Sequence, residues 1–189
     1  GASRPHRVAG YLRSLGVMPP KLEASAARDE TLRKIGRNVA NFQKMEVMLK
    51  FVLATSNFST SISKAKEHLE TRVKDLRKAS LGTLVEDGAK ALHSEAPAIP
   101  PDTMEPWFAH SFSLVESGSE LVEWRREMRR VVRERNALIH TMLTSWNPHS
   151  VESCRALCEE LDAQRERTRP AYEHLQSVAI AIRESHLEI

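Results

Sequence analysis

ELVEWRREMRRVVRERNALIHTMLTSW, residues 120–146, carries apolar side chains at steps of three and four, and no glycine or proline interrupts it. That spacing returns side chains to one face of an α-helix, in which each residue turns by about 100°. The inner stripe reads Leu121, Met128, Val132, Arg135, Ile139, Met142 and Trp146. Ser119 stands ahead of it as an N-cap, and Pro148 in NPHS supplies the stop. One residue in the stripe is out of character. A guanidinium is costly to bury unless it is paired, so Arg135 needs a reason to lie there.

The rest of the chain repeats the helical pattern. A first long helix is expected over 26–56, with Leu32, Ile35, Val39, Phe42, Met45, Leu49 and Val52 inside and one charged residue, Glu46, on the same face. A thinly apolar, largely solvated helix starts near Ile62 with Leu69, Val73 and Leu76. Another follows Ser80 as N-cap, with Leu81, Leu84 and Val85 behind it. HSEAPAIPPDTMEP reads as a loop because proline recurs through it. WFAHSFSLVESG suits a short strand or a single helical turn, and the choice stays open. A last long helix runs from Ser150 to about 187, with Pro170 expected to kink or split it. Short connections make consecutive helices antiparallel neighbours. The expected fold is therefore all-α, an antiparallel four- to five-helix bundle over 26–189, with 1–25 as an N-terminal extension.

Composition agrees with a single domain of this class. The chain has 189 residues, 41% hydrophobic and only 5% aromatic, which suits helices better than sheets. A net charge of +3 is compatible with a nucleic-acid partner without requiring one. The only cysteines, Cys154 and Cys158, are four apart on a helix, which excludes a disulfide scaffold and suits a reducing, cytoplasmic compartment. With His149 they make a poor metal site, so they read as core residues, and no metal or other cofactor is expected. His110 reads as ordinary packing. No secretory signal and no membrane-spanning apolar run is visible, so no membrane partner is expected.

The chemistry concentrates in RERNALIH, residues 133–140. Asn136 and His140 are four apart and project together; Arg133 and Arg129 continue the same stripe. Arg135 lies about 140° round an ideal helix from His140 and reaches the same point only through its long side chain. Arginine offers a forked, permanently charged donor set matched to phosphate oxygens, and histidine exchanges protons near neutral pH. An amide at Asn136 can hold the imidazole tautomer or meet the substrate. Three placements of Arg135 stay open: paired inside with Glu46, facing a second protomer, or lining a polar pocket. Glu46 is either that inner partner or an exposed edge residue. The run Arg125, Arg126, Arg129, Arg130 and Arg133 is either a solvated face balanced by neighbouring glutamates or a track for an RNA backbone.

RNALIH, on a late helix of an expected helical bundle, resembles the R-x4-H signature of the HEPN superfamily, with Arg135 as the motif arginine, Asn136 as the polar residue after it, and His140 as the motif histidine. The resemblance implies a symmetric homodimer with a composite cleft and metal-independent endoribonuclease activity. It also implies a toxin or phage-defence role, held in check by an antitoxin or regulatory protein. Arg133 fits the longer R-x6-H spacing of some members, so either arginine suits the motif. HEPN toxins paired with a nucleotidyltransferase antitoxin carry a modifiable tyrosine two residues after the histidine; Met142 stands there, so that mode of control is not expected. The catalytic residues expected are Arg135, Asn136 and His140, supported by Glu46 and Arg133, with RNA contacts from Arg129 and Arg133. The alternative is a non-catalytic dimeric helical module that binds nucleic acid or a partner protein through the same basic surface.

Overall fold

Pro20 opens the first helix, six residues earlier than the periodicity placed it, because proline at a first helical position has no N–H to leave unmatched. The computed structural model describes residues 20–56, 58–91, 105–110 and 118–185. Its helices are α1 (Pro20–Thr55), α2 (Ala65–Arg77), α3 (Leu81–Ala91), α4 (Gly118–Ala137), a short α5 (Leu143–Ser145) and α6 (Val151–Ser185). A 3-10 turn, Ile62–Lys64, leads into α2, and a π-helical turn, Leu138–Met142, joins α4 to α5. The described residues are all-α apart from one antiparallel pair, β1 (Phe58–Ser61) with β2 (Trp107–His110).

The pair decides the open choice at WFAH in favour of a strand. Its register sets Phe58 opposite His110 and Ser61 opposite Trp107, and the Trp107 indole N–H donates to Ser59 Oγ at 2.8 Å. The N-terminal stretch to residue 19 and most of the proline-rich loop lie outside the described residues. Ser80 caps α3 as expected, its hydroxyl accepting from the Thr83 N–H. Ser119 does not cap α4: that helix starts at Gly118 and takes Ser119 into its first turn. Ser150 does cap α6, accepting from the Ser153 N–H at 3.1 Å. Pro170 does not split α6, which runs unbroken past it; the ring is exposed, away from the packed side of the helix.

The described residues fall into two compact units, one of 20–39 with Asn136–Arg167, the other of Ala40–Arg135 with 168–185. The larger unit is packed conventionally. Phe42, Met45, Leu49, Val52, Leu53 and Ala54 of α1, Leu81, Leu84 and Val85 of α3, Trp124, Met128 and Val131 of α4, and Ala171, Leu175, Val178 and Ile182 of α6 are buried apolar residues of this unit. α3 and α4 run antiparallel, as Gly82 beside Val132 and Gly88 beside Trp124 require. Gly88 admits the indole: a Cβ there would stand 3.1 Å from Trp124 Cη2. α2 buries nothing and is tied to α1 through backbone carbonyls, with Arg72 donating to Leu53 O and Lys50 to Arg77 O.

The smaller unit is held differently. Glu23 meets Arg155, Thr31 meets Cys158, and Asn38 meets Gln164, so α1 and α6 ascend together and are parallel here. Antiparallel order, expected from short connections, is seen for α1 with α2 and for α3 with α4. No short turn links α1 to α6, and nothing forces them to oppose. The stripe expected from Leu32, Ile35 and Val39 is also displaced. Leu32 is 49% exposed and the buried positions are Thr31 and Asn38. The seam keeps its period but uses hydrogen-bonding side chains, which an apolar count passes over.

Candidate functional site

The motif spans the end of α4 and the π-turn, and the boundary between the two units falls between Arg135 and Asn136. The buried seam of α4 runs Trp124, Met128 and Val131, and Leu138 follows in the π-turn. Leu121, Val132, Ile139, Met142 and Trp146 are half-buried flanks. Arg135 keeps step with that seam, four after Val131 and three before Leu138, yet is exposed. A long side chain on an inward position can lay its stem along the surface and keep its head in water. Arg135 is therefore exposed at its inward position.

Glu46 accordingly has another task. Half-buried on α1, it accepts from Lys50 Nζ at 2.8 Å, one turn along the same helix. Glu46, offered either as a partner for Arg135 or as an edge residue, is thus met locally by Lys50.

Arg133, Asn136 and His140 are exposed, and the polar side chains of the motif all reach solvent. Among the described residues no ion pair holds Arg133. The other arginines of the run are largely engaged. Arg126 pairs with Glu123 and Arg130 with Glu127, each three residues apart. Arg125 and Arg129 both grip Glu86 of α3, Arg129 Nε at 2.8 Å from Glu86 Oε1. Hydrogen bonds from Arg129 and then Arg125 bring the Glu86 carboxyl down to about 2. Arg129, expected on RNA, is thus part of a clamp between α3 and α4. Arg133 is the more available guanidinium.

His140 occupies the middle of the π-turn, closed by the Leu143 N–H donating to Leu138 O five residues back. In an ideal α-helix Asn136 and His140 are about 40° apart around the axis. A turn that closes over five residues advances each by less, which aligns the amide and the imidazole more closely. Leu138, fully buried, anchors the turn from below. The Thr144 hydroxyl donates to the carbonyls of His140 and Thr141, both at 2.9 Å, and Ser145 Oγ lies 2.9 Å from Thr141 O. These hydroxyls serve carbonyls at a helix end, where the ladder runs out of donors.

Beneath the turn lies a cluster the apolar pattern missed. Asn38 Nδ2 donates to Leu161 O at 2.8 Å and to Gln164 Oε1 at 3.1 Å; Gln164 Nε2 donates to Met142 Sδ at 3.9 Å. Arg37 Nε donates to Asn38 Oδ1, and its other end meets Asp162. Lys34, and then Arg37, hold the Asp162 carboxyl below its ordinary range. Thr31 Oγ1 lies 3.3 Å from Cys158 Sγ, and Trp146 Nε1 lies 3.4 Å from Cys154 Sγ. Both cysteines thus pack inside this unit, while His149 is exposed in the turn before α6. The signal that could have found Asn38 and Gln164 is positional. Asn38 lies seven from both Thr31 and Met45, and Gln164 seven from both Leu157 and Ala171, so each sits on a heptad seam.

The chain matches no protein-family model, and no curated protein or solved structure is detectably similar to it. Function must be read from the residues themselves. Among the described residues, no group of three or more His, Cys, Asp or Glu side chains could hold a metal ion, and no helix is long and apolar enough to cross a membrane.

Proposed function

We propose that the chain is a metal-independent endoribonuclease of HEPN type, working as a symmetric homodimer of antiparallel helical bundles. The observation that carries this reading is the placement of the motif: Arg135, Asn136 and His140 are all exposed, and the histidine sits on a π-turn rather than in regular helix. Such turns interrupt the i→i+4 ladder and occur frequently at functional sites.

In this reading His140 takes the proton of a ribose 2′-OH as that oxygen attacks phosphorus. The P–O5′ bond breaks, and His140 of a second copy gives a proton to the departing O5′. Arg135 stabilises charge on the phosphoryl oxygens, and Asn136 orients the imidazole or the substrate. Arg133 contributes affinity through the backbone. The products carry 2′,3′-cyclic phosphate and 5′-OH ends. The biological role is that of a toxin or phage-defence effector restrained by an antitoxin or regulatory protein, in the cytoplasm.

Incubating the purified protein with mixed RNA in excess EDTA, followed by analysis of product ends, tests this. Cyclic phosphate and 5′-OH termini are expected. RNA binding without cleavage across varied substrates would instead establish the non-catalytic binding module. Light scattering should give the mass of two chains at micromolar concentration, and the mass of one would remove the source of the second proton-transfer group.

A further inference from the structure

The proposed function uses the outer face of the π-turn and leaves its inner side unexplained. That side carries Met142, two residues after His140, with its thioether accepting from Gln164 Nε2. Gln164 is fully buried, and Asn38, 2% exposed, donates to its carbonyl oxygen. An amide can rotate, and its O and N ends must be told apart by their partners. Here Asn38 supplies the donor that fixes Gln164 Oε1, which turns Gln164 Nε2 toward Met142. Asn38 is fixed in turn through Leu161 O on one end and Arg37 Nε on the other. The result is a directed chain from α1 through α6 to the π-turn.

Such an arrangement is a poor way to add stability, since an apolar trio would pack there at no hydrogen-bonding risk. Paired polar groups on a heptad seam are instead suited to specifying register. Register matters at this point because a π-turn has a competing alternative, the ordinary α-helical turn. Relaxing to it would shift every residue after the turn around the axis. We propose that Gln164, oriented by Asn38, is a positioning residue for His140: by holding Met142 it selects the π-turn and so the direction in which the imidazole leaves the helix. This rests on the ribonuclease reading for its consequence in catalysis, but the effect on the imidazole itself does not.

The test uses the full chain and three variants. Gln164→Met keeps the length of the side chain and removes both ends of the relay. Met142→Leu leaves the Asn38–Gln164 pair intact and removes only the last acceptor, so it stays informative where Gln164→Met fails to fold. Thr31→Val removes a buried hydroxyl of the same unit that bonds Ala27 O and Cys154 O, outside the relay. The His140 ring Cε1–H signal, assigned by its loss in His140→Ala, is expected to move or broaden in Gln164→Met and Met142→Leu and to stay in place in Thr31→Val. For RNA cleavage, kcat should fall about 10- to 100-fold in the first two with KM unchanged, because misplacement of a catalytic group by ~1 Å has effects of that order. An unmoved His140 signal in folded Gln164→Met and Met142→Leu would overturn the inference, as would an equal displacement in Thr31→Val. The spectrum is recorded without RNA, so a wild-type protein that cleaves nothing defeats the ribonuclease reading alone. Displaced signals with unchanged kcat would overturn the positioning role while leaving that reading intact.

Discussion

The inner seams of α1 and α6 keep one spacing along their length and change chemistry between the two units. In the larger unit the positions are mostly apolar, Phe42, Met45, Leu49 and Val52 on one helix and Ala171, Leu175, Val178 and Ile182 on the other, with Thr168 the polar member. In the smaller unit the same periodicity lands on Thr31 and Asn38, and on Cys154, Leu157, Leu161 and Gln164. The difference separates two jobs. Apolar seams gain stability in proportion to the area they remove from water. Hydrogen-bonded seams gain little net stability, but they penalise misalignment because a buried group left unmatched is costly. Of the proposed site, Asn136 and His140 lie in the smaller unit, where Thr31, Asn38 and Gln164 are buried among Leu138, Cys154, Leu157 and Leu161, and Arg135 lies in the larger one.

The largest effect should come from the apolar seam. Leu175→Ala removes a fully buried side chain and should cost about 2–5 kcal/mol in chemical denaturation. A loss below about 1 kcal/mol would mean that this stretch of α6 is not packed as described.

The polar seam should respond less, and with a different signature. Asn38→Leu or Gln164→Leu strands a buried partner and should cost about 1–3 kcal/mol. The double variant should lose less than the sum of the singles, since exchanging both partners removes the unmatched group. Strict additivity would show that the two amides do not act as a pair.

A third comparison uses acid. Hydrogen bonds from Arg129 and Arg125 hold Glu86 down to about 2 against an ordinary value of 4.5. A carboxyl depressed by folding contributes stability that is fully present above its unfolded value and is lost as pH falls through its folded one. Melting temperature should therefore drop between about pH 5 and 2, and Glu86→Gln should flatten that drop. An identical acid profile in the variant would show that the clamp between α3 and α4 does not hold in solution.

These contrasts also show what the residues reveal before folding. The apolar half of α1 was legible from Phe42 to Val52, because four large side chains at steps of three and four admit one face. Its N-terminal half was not. Leu32 drew the stripe to the exposed side, and Thr31 and Asn38 carried no apolar signal. On α4 the reading passed over Trp124, set among charged neighbours, and chose Val132 over Val131, moving the seam by one position. Arg135 keeps step with either seam, and its exposure comes from the length of its side chain, which periodicity does not register. The π-turn had no local residue signature, since nothing in LIHTM distinguishes closure over five residues from closure over four. The exposure of Asn136 and His140 was legible, because both fall on a polar stripe at i and i+4.

The smallest effects should fall on the exposed motif. Arg133→Gln should weaken RNA binding evenly across sequences and lower the salt-dependence slope by about 1. An unchanged slope would place the phosphate contact elsewhere on the chain. His140→Ala should change unfolding stability by no more than about 0.5 kcal/mol, as expected for an exposed side chain away from the packed seams.

That small structural effect makes His140→Ala the most direct probe of function. Wild type and variant, each shown to be folded, are compared on one RNA in excess EDTA for both cleavage and binding. The expected result is cleavage by the wild type, none by His140→Ala, and binding with the same salt dependence in both. Cleavage by His140→Ala at the wild-type rate would contradict the assignment of proton transfer to this histidine and, with it, the ribonuclease mechanism proposed for the motif.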